Sequence, residues 1–290
     1  MCDDTTLVEF DHADAACAGL TRRDFAALGG VAALAACAPM PTGNDAALSE
    51  GMVAVTTPDG TADAFFVHPA KGKHPGVILW PDVAGLRDAY KAMARRLAGA
   101  GYAVLAVNHY YRGSPAPIVA SMGEWRTPAG QEKLKPLIAA LSPEGTVRDA
   151  TAFVNWLDRQ AAVDTRRAIG SQGYCQTGSF AMRTAAAVPG RVKAVGSFHG
   201  GGLVTDKPDS PHRTFAQTRA SYLIAIAQND DARAPTDKDA LRAAAAAAGR
   251  PAQVEVFGAD HGWCTLDAPV YNQAEADRAW GKLLALYATL

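Results

Sequence analysis

The sequence predicts an α/β domain built on a mostly parallel sheet with helices on both faces. Three observations carry that expectation. Short strand-like runs alternate with amphipathic helical ones from Met52 to the end. Central runs such as "GVILWP" and "SYLIAIAQ" are continuously apolar, as strands buried on both faces must be. Finally, 49% of the 290 residues are hydrophobic, enough for one large core. No internal repeat or composition break interrupts residues 51 to 290, so one domain is expected.

"MVAVTT" and "ADAFFVHP" are strand-like and separated by the turn signal "PDG", which makes a hairpin. "GVILWP" is the first buried strand. "LRDAYKAMARRLAGAG" is helical, with Leu86, Ala89, Tyr90, Met93 and Leu97 on one face and glycines closing it. "YAVLAVNHY" is the next strand. "TVRDATAFVNWLDRQ" is an amphipathic helix with Val147, Phe153, Val154 and Leu157 inward. "RRAIGSQ" is a strand and "SFAMRTAAAV" the helix after it. "VKAVGSFHG" and "SYLIAIAQ" are strands, "TDKDALRAAAAAAG" a helix, "AQVEVFG" a strand and "NQAEADRAWGKLLALYATL" a closing helix.

The N-terminal 38 residues read as an address rather than fold. Arg22 and Arg23 form a twin-arginine pair with Phe25 two residues on, similar to a Tat signal, followed by an Ala/Gly-rich apolar run too short to span a bilayer. This implies the Tat export machinery as a partner and a periplasmic location. "LAAC" (34–37) is similar to a lipobox, in which case Cys37 carries a lipid anchor; cleavage at the neighbouring small residues is the other reading. Residues 39–51 read as a linker.

The 29 acidic and 28 basic residues are scattered, with no basic block, which excludes an electrostatic nucleic-acid footprint. The five cysteines match no zinc, CxxC or disulfide pattern. No metal or cofactor is expected.

In a parallel sheet the chemistry sits at the carboxyl ends of strands. "GYCQTG" puts Cys175 between Gly173 and Gly178 on a strand-to-helix turn, where small residues are needed because backbones crowd a nucleophile held up for attack. The following helix turns its positive N-terminal end toward the sulfur and favours negative charge there. Asp230 and Asp231 follow "SYLIAIAQ". Counting from the strand favours Asp230 as an orienting acid, and counting back from Pro235 favours Asp231. His261 follows the last strand, third in the chain order nucleophile, acid, histidine. His109 and His199 also end strands, so the base is not forced, although His199 follows the wrong strand for it. The loop after "GVILWP" carries Asp82 and Val83. The N–H groups of Val83 and Gln176 are the candidate oxyanion hole.

Together, "WPDVAGL", "GYCQTG", "NDDARAP" and "DHGW" resemble the dienelactone hydrolase (carboxymethylenebutenolidase) family of α/β-hydrolases, over essentially residues 52–290. The resemblance implies the α/β-hydrolase fold, a Cys-His-Asp triad of Cys175, His261 and Asp230, and a small-molecule ester or lactone substrate. It also implies that Asp82 stands where family members carry an acid, usually Glu, against the resting thiol. Thr265 occupies the position of an arginine that clamps a substrate carboxylate, and Arg126 is the candidate replacement. Tyr111 and Trp263 are candidates for lining an acyl pocket. Two competing readings are a non-catalytic envelope ligand-binding protein, suggested by Thr177 in a common glycine position, and a thiol redox protein using Cys175 with Cys264.

Overall fold

A computed structural model describes residues 47–290. The twin-arginine segment and Cys37 lie outside the described residues. The chain opens with a hairpin, β1 (Leu48–Thr57) and β2 (Gly60–Pro69), paired antiparallel from Leu48 opposite Pro69 to Thr57 opposite Gly60. Residues 48–51, expected as linker, are therefore strand. Their polar composition carries no strand signal, but the ladder to β2 recruits them, and Arg95 grips Glu50 at 2.6 Å.

The succession expected from the sequence follows. β3 (Gly76–Trp80), α1 (Asp88–Gly99) and β4 (Ala103–Val107) come first. Two helices absent from the expectation come next, α2 (Met122–Trp125) and α3 (Pro128–Ala139), then α4 (Pro143–Leu157). β5 (Ile169–Tyr174), α5 (Gly178–Ala187), β6 (Val192–Phe198) and β7 (Ser221–Ala227) continue the alternation. A third unexpected helix, α6 (Gln228–Arg233), precedes α7 (Asp237–Ala247), β8 (Ala252–Phe257) and α8 (Gln273–Tyr287).

The eight strands lie in the order β1-β2-β4-β3-β5-β6-β7-β8, antiparallel across β1-β2-β4 and parallel thereafter. Successive strand side chains enter opposite cores, because side chains alternate across a sheet. Ile78 and Trp80 join the layer under α4, α5 and α7, while Val77 and Leu79 join the layer under α1 and α8. One inward assignment fails. Val147 is 39% exposed, because the buried stripe of α4 runs through Thr146, Asp149, Ala150, Phe153 and Leu157 and leaves Val147 on its flank.

The chain leaves β3 to reach β4 on one side and returns to β5 on the other. The carboxyl ends of β3 and β5 therefore flank a topological switch point, where an open α/β sheet leaves a crevice.

Candidate active site

Cys175 follows β5 and opens a single 3₁₀ turn, Cys175–Thr177, that runs into α5. Its φ is +55°, a left-handed conformation that a residue with a Cβ adopts only when its surroundings enforce it. The surroundings are close-packed. A Cβ on Gly173 would strike the Thr177 carbonyl, and one on Gly178 would strike the Ser197 hydroxyl and the Gly200 backbone. Both glycines of the motif are thus required by space. Thr177 pins the same turn: its hydroxyl accepts from Tyr174 N–H at 2.9 Å and reaches the Trp80 and Tyr174 carbonyls, also at 2.9 Å. Thr177 therefore ties the elbow to β3.

The histidine and the acid come from neighbouring strand ends. α6 lays Asn229 and Asp230 against the loop after β8. The Asn229 side chain accepts from the His261 backbone N–H at 2.9 Å, and Asp230 Oδ2 meets His261 Nδ1 at 2.6 Å. Asp231 faces away and is paired with Lys238 at 2.7 Å. Cys175 and His261 interact electrostatically through their side chains. Burial alone would lower the His261 pKa, but Cys175 and Asp230 more than offset it, and the imidazole is pushed up to about 10.

The other two strand-end histidines are buried. His109 has no hydrogen-bond partner on either ring nitrogen among the described residues, and burial lowers its pKa to about 3. His199 lies behind the elbow, where its Nδ1 accepts from Cys175 N–H at 3.1 Å.

Val83 and Gln176 are linked through Tyr110. Gln176 Nε2 donates to Tyr110 Oη at 2.7 Å, and Tyr110 donates to the Val83 carbonyl at 3.0 Å. The Val83 N–H has no protein acceptor among the described residues. Gln176 N–H belongs to the first turn of a helical segment, whose donors have no partner within it.

Asp82 is not placed against the thiol as the resemblance implied. It is 1% exposed and fully engaged. Arg87 donates to both carboxylate oxygens, at 2.7 and 3.1 Å, and Ala84 N–H donates to Oδ1 at 2.9 Å. The side chain is one methylene short of Glu, and the Arg87 guanidinium draws it back into the turn. Arg87 also donates to both oxygens of Asp267, at 2.8 and 2.7 Å, and Asp267 accepts from Met122 N–H at 3.0 Å. One buried arginine thus joins the loop after β3, the loop after His261 and the start of α2. Desolvation opposes the Arg87 charge, but the Asp267 and Asp82 carboxylates raise its pKa overall, while Arg87 keeps Asp267 below the usual carboxylate range despite its burial.

The expected pocket residues are distributed otherwise. Tyr111 donates to Asp149 at 2.7 Å and shares a 2.6 Å hydrogen bond with Thr57, which commits it to the hairpin and α4. Trp263 is 0% exposed, stacked on Phe257 and edge-on to His199, so it forms the back of the histidine loop rather than a substrate surface. Thr265 is buried beside Tyr90, with 3.3 Å between their hydroxyls. Arg126 is exposed at the end of α2, without a carboxylate partner among the described residues. Cys175 and Cys264 are both free thiols, and burial pushes the Cys264 thiol well above its ordinary range. No group of three or more potential metal ligands occurs among the described residues.

A family model of the dienelactone hydrolases matches residues 62–290. A Salmonella typhi protein provisionally named a carboxymethylenebutenolidase is 24% identical over 250 residues, covering 84% of this chain and 88% of its own. A Synechocystis protein with the same provisional name is 27% identical over 225 residues, covering 76% and 88%. Among solved structures, a dienelactone hydrolase from Anabaena variabilis superposes with a TM-score of 0.59 at 18% identity, over 84% of this chain and 99% of that one. A dienelactone hydrolase-like promiscuous phosphotriesterase from metagenomic libraries, P91, superposes at 0.67 and 21%, over 83% and 98%. With the family match spanning nearly the whole described fold, this chain is an α/β-hydrolase that belongs to the dienelactone hydrolase family.

Proposed function

We propose that the protein hydrolyses small neutral esters or lactones through a thioester formed on Cys175. The observation that carries the proposal is the convergence of three strand ends: a left-handed Cys175 that interacts electrostatically with His261, and His261 held by Asp230 at 2.6 Å. Cys175 attacks as thiolate, paired with the His261 imidazolium, and a tetrahedral oxyanion forms against Val83 and Gln176 N–H. Collapse expels the alkoxide or enolate, which takes the proton from His261 Nε2. The neutral imidazole then removes a proton from water, the hydroxide attacks the thioester, and the thiolate leaves with the acid product. Asp230 holds the Nδ1–H tautomer throughout. The names of the curated relatives, carboxymethylenebutenolidase and a probable lactonase from Bradyrhizobium, support lactone opening as the reaction class.

The preference for neutral substrates rests on where the cations are. Arg87 is neutralised by two aspartates, Arg112 by Asp59 and Asp149, and Thr265 offers no charge. A lost charge-assisted hydrogen bond costs a carboxylate-bearing substrate roughly 10- to 100-fold, whereas a neutral one loses nothing. The test is a matched pair, a lactone acid and its methyl ester, followed by rapid quench and mass spectrometry. The methyl ester should leave an acyl mass on the Cys175 peptide and match or exceed the acid in kcat/KM. Turnover with an acyl group on another residue would defeat the thioester. A tenfold preference for the acid that disappears in Arg126→Ala would make Arg126 the carboxylate clamp.

We further propose that residues 1–38 direct export by the Tat route to the periplasm, with Cys37 as a lipid anchor if the 34–37 segment is processed as a lipobox. Arg22→Lys/Arg23→Lys should leave the precursor in the cytoplasm. Cys37→Ala should release a membrane-bound mature form. Normal export of the double variant would rule out the Tat route.

A further inference from the structure

His199 follows β6 with φ +39°, the second left-handed residue other than glycine among the described residues, and it is 1% exposed. Both left-handed residues meet at one place. Cys175 N–H donates to His199 Nδ1 at 3.1 Å, and the Cys175 carbonyl accepts from Gly201 N–H at 3.2 Å. The whole backbone of Cys175 is therefore held by the three-residue stretch after β6. A backbone N–H can only donate, so Nδ1 must present its lone pair, and the ring must be neutral with its proton on Nε2. That nitrogen is buried without a partner among the described residues, so one hydrogen bond and aromatic packing fix the ring. The packing is edge-on against His261, with centroids 4.8 Å apart, and against Trp263 at 5.2 Å, with Tyr174 at 6.0 Å on the remaining side. The titratable groups facing the ring are thus His261, Cys175 and Tyr174. Burial first, and the neighbouring His261 second, hold His199 well below the ordinary histidine range.

We propose that His199 is a positioning residue for the nucleophile: its Nδ1 lone pair, accepting from Cys175 N–H, keeps the elbow in the left-handed conformation that turns the sulfur toward His261. This role rests on Cys175 being the nucleophile. His199 takes no part in proton transfer. A cationic ring would lose the acceptor and release the elbow, and its edge-on neighbour, itself the proton carrier, disfavours that second charge.

The test compares His199→Asn with His199→Leu. Asn places its side-chain oxygen near the Nδ1 position and tolerates left-handed backbone; Leu fills space but accepts nothing. The first readout is the rate at which iodoacetamide alkylates Cys175 between pH 5 and 9, located by mass spectrometry. It requires no ester turnover. The second is kcat and KM for p-nitrophenyl acetate. His199→Leu should slow both alkylation and kcat roughly 10- to 100-fold, with KM within about twofold, because a buried N–H is left unpaired beside the sulfur. His199→Asn should recover to within about fivefold of wild type. If the leucine variant does not fold, His199→Gln replaces it, with its acceptor one methylene too far, and should be slow. Alkylation of His199→Leu within threefold of wild type, or equal slowing in the Asn and Leu variants, overturns the proposal. A wild type that hydrolyses no ester but preserves the alkylation order keeps the positioning role and removes the hydrolase reading of the site.

Discussion

Cys175→Ala should lower kcat for ester hydrolysis by about 10⁴- to 10⁶-fold, the usual consequence of removing a triad nucleophile. His261→Ala should fall in the same range, and the double variant should be little worse than either, because residues acting as one unit are not additive. Folding should survive Cys175→Ala. The thiol is not a core contact, and the elbow is held by Thr177, His199 and the two glycines rather than by sulfur. Activity of Cys175→Ala within threefold of wild type, measured with p-nitrophenyl acetate, would remove the assigned role. The same pair sets a pH dependence. His261 is raised from an ordinary 6.5 to about 10, so the stability it contributes is fully present below about pH 6.5 and is lost as pH climbs through about 10. Urea unfolding at pH 6 and pH 10 should show that decline in wild type and a shallower one in His261→Ala.

Arg87→Met should destabilise the fold by about 3–5 kcal/mol, the range for breaking a buried ion pair and leaving its partner charged. For a domain of this size that corresponds to a fall in Tm of about 6–20 °C. The size follows from what is left behind: Asp82 is 1% exposed, and Asp267 is half-buried against the same guanidinium. Arg87→Lys should rescue only in part, since an ammonium cannot present two forks to two carboxylates. Asp82→Asn added to Arg87→Met should recover part of the loss by removing the orphaned charge. Thermal melts of the three variants decide it, and an Arg87→Met Tm within 2 °C of wild type would refute the structural role. Because Arg87 lowers the Asp267 pKa, that contribution is present above the ordinary carboxylate range and is lost as pH falls below it.

The alternation of elements, the both-faces burial of the central strands and the strand-end positions of Cys175, Asp230 and His261 are legible in the chain alone. These are local signals. Periodicity, a "PDG" turn and two glycines around a cysteine each report the conformation of a few adjacent residues. Three helices went unread although capping signals exist for two of them. Ser121 caps α2, and Thr127 precedes Pro128 at the start of α3. Their short apolar stripes cover only Ala84, Tyr110 and Val119, too little to give a strong period. Choices between chemically equal residues were settled by packing instead. Asp230 rather than Asp231 meets His261 because α6 turns one inward and leaves the other to Lys238. Asp82 belongs to Arg87 rather than the thiol, Tyr111 and Trp263 belong to the scaffold, and His199 meets the Cys175 N–H. The hydrogen-bonded partners that decide these outcomes lie 5 to 38 positions away in the chain. Residue type and spacing can say that a carboxylate or an imidazole lies near a strand end. Only the packed fold sets which donor reaches it first, because a hydrogen bond is won or lost within a few tenths of an ångström.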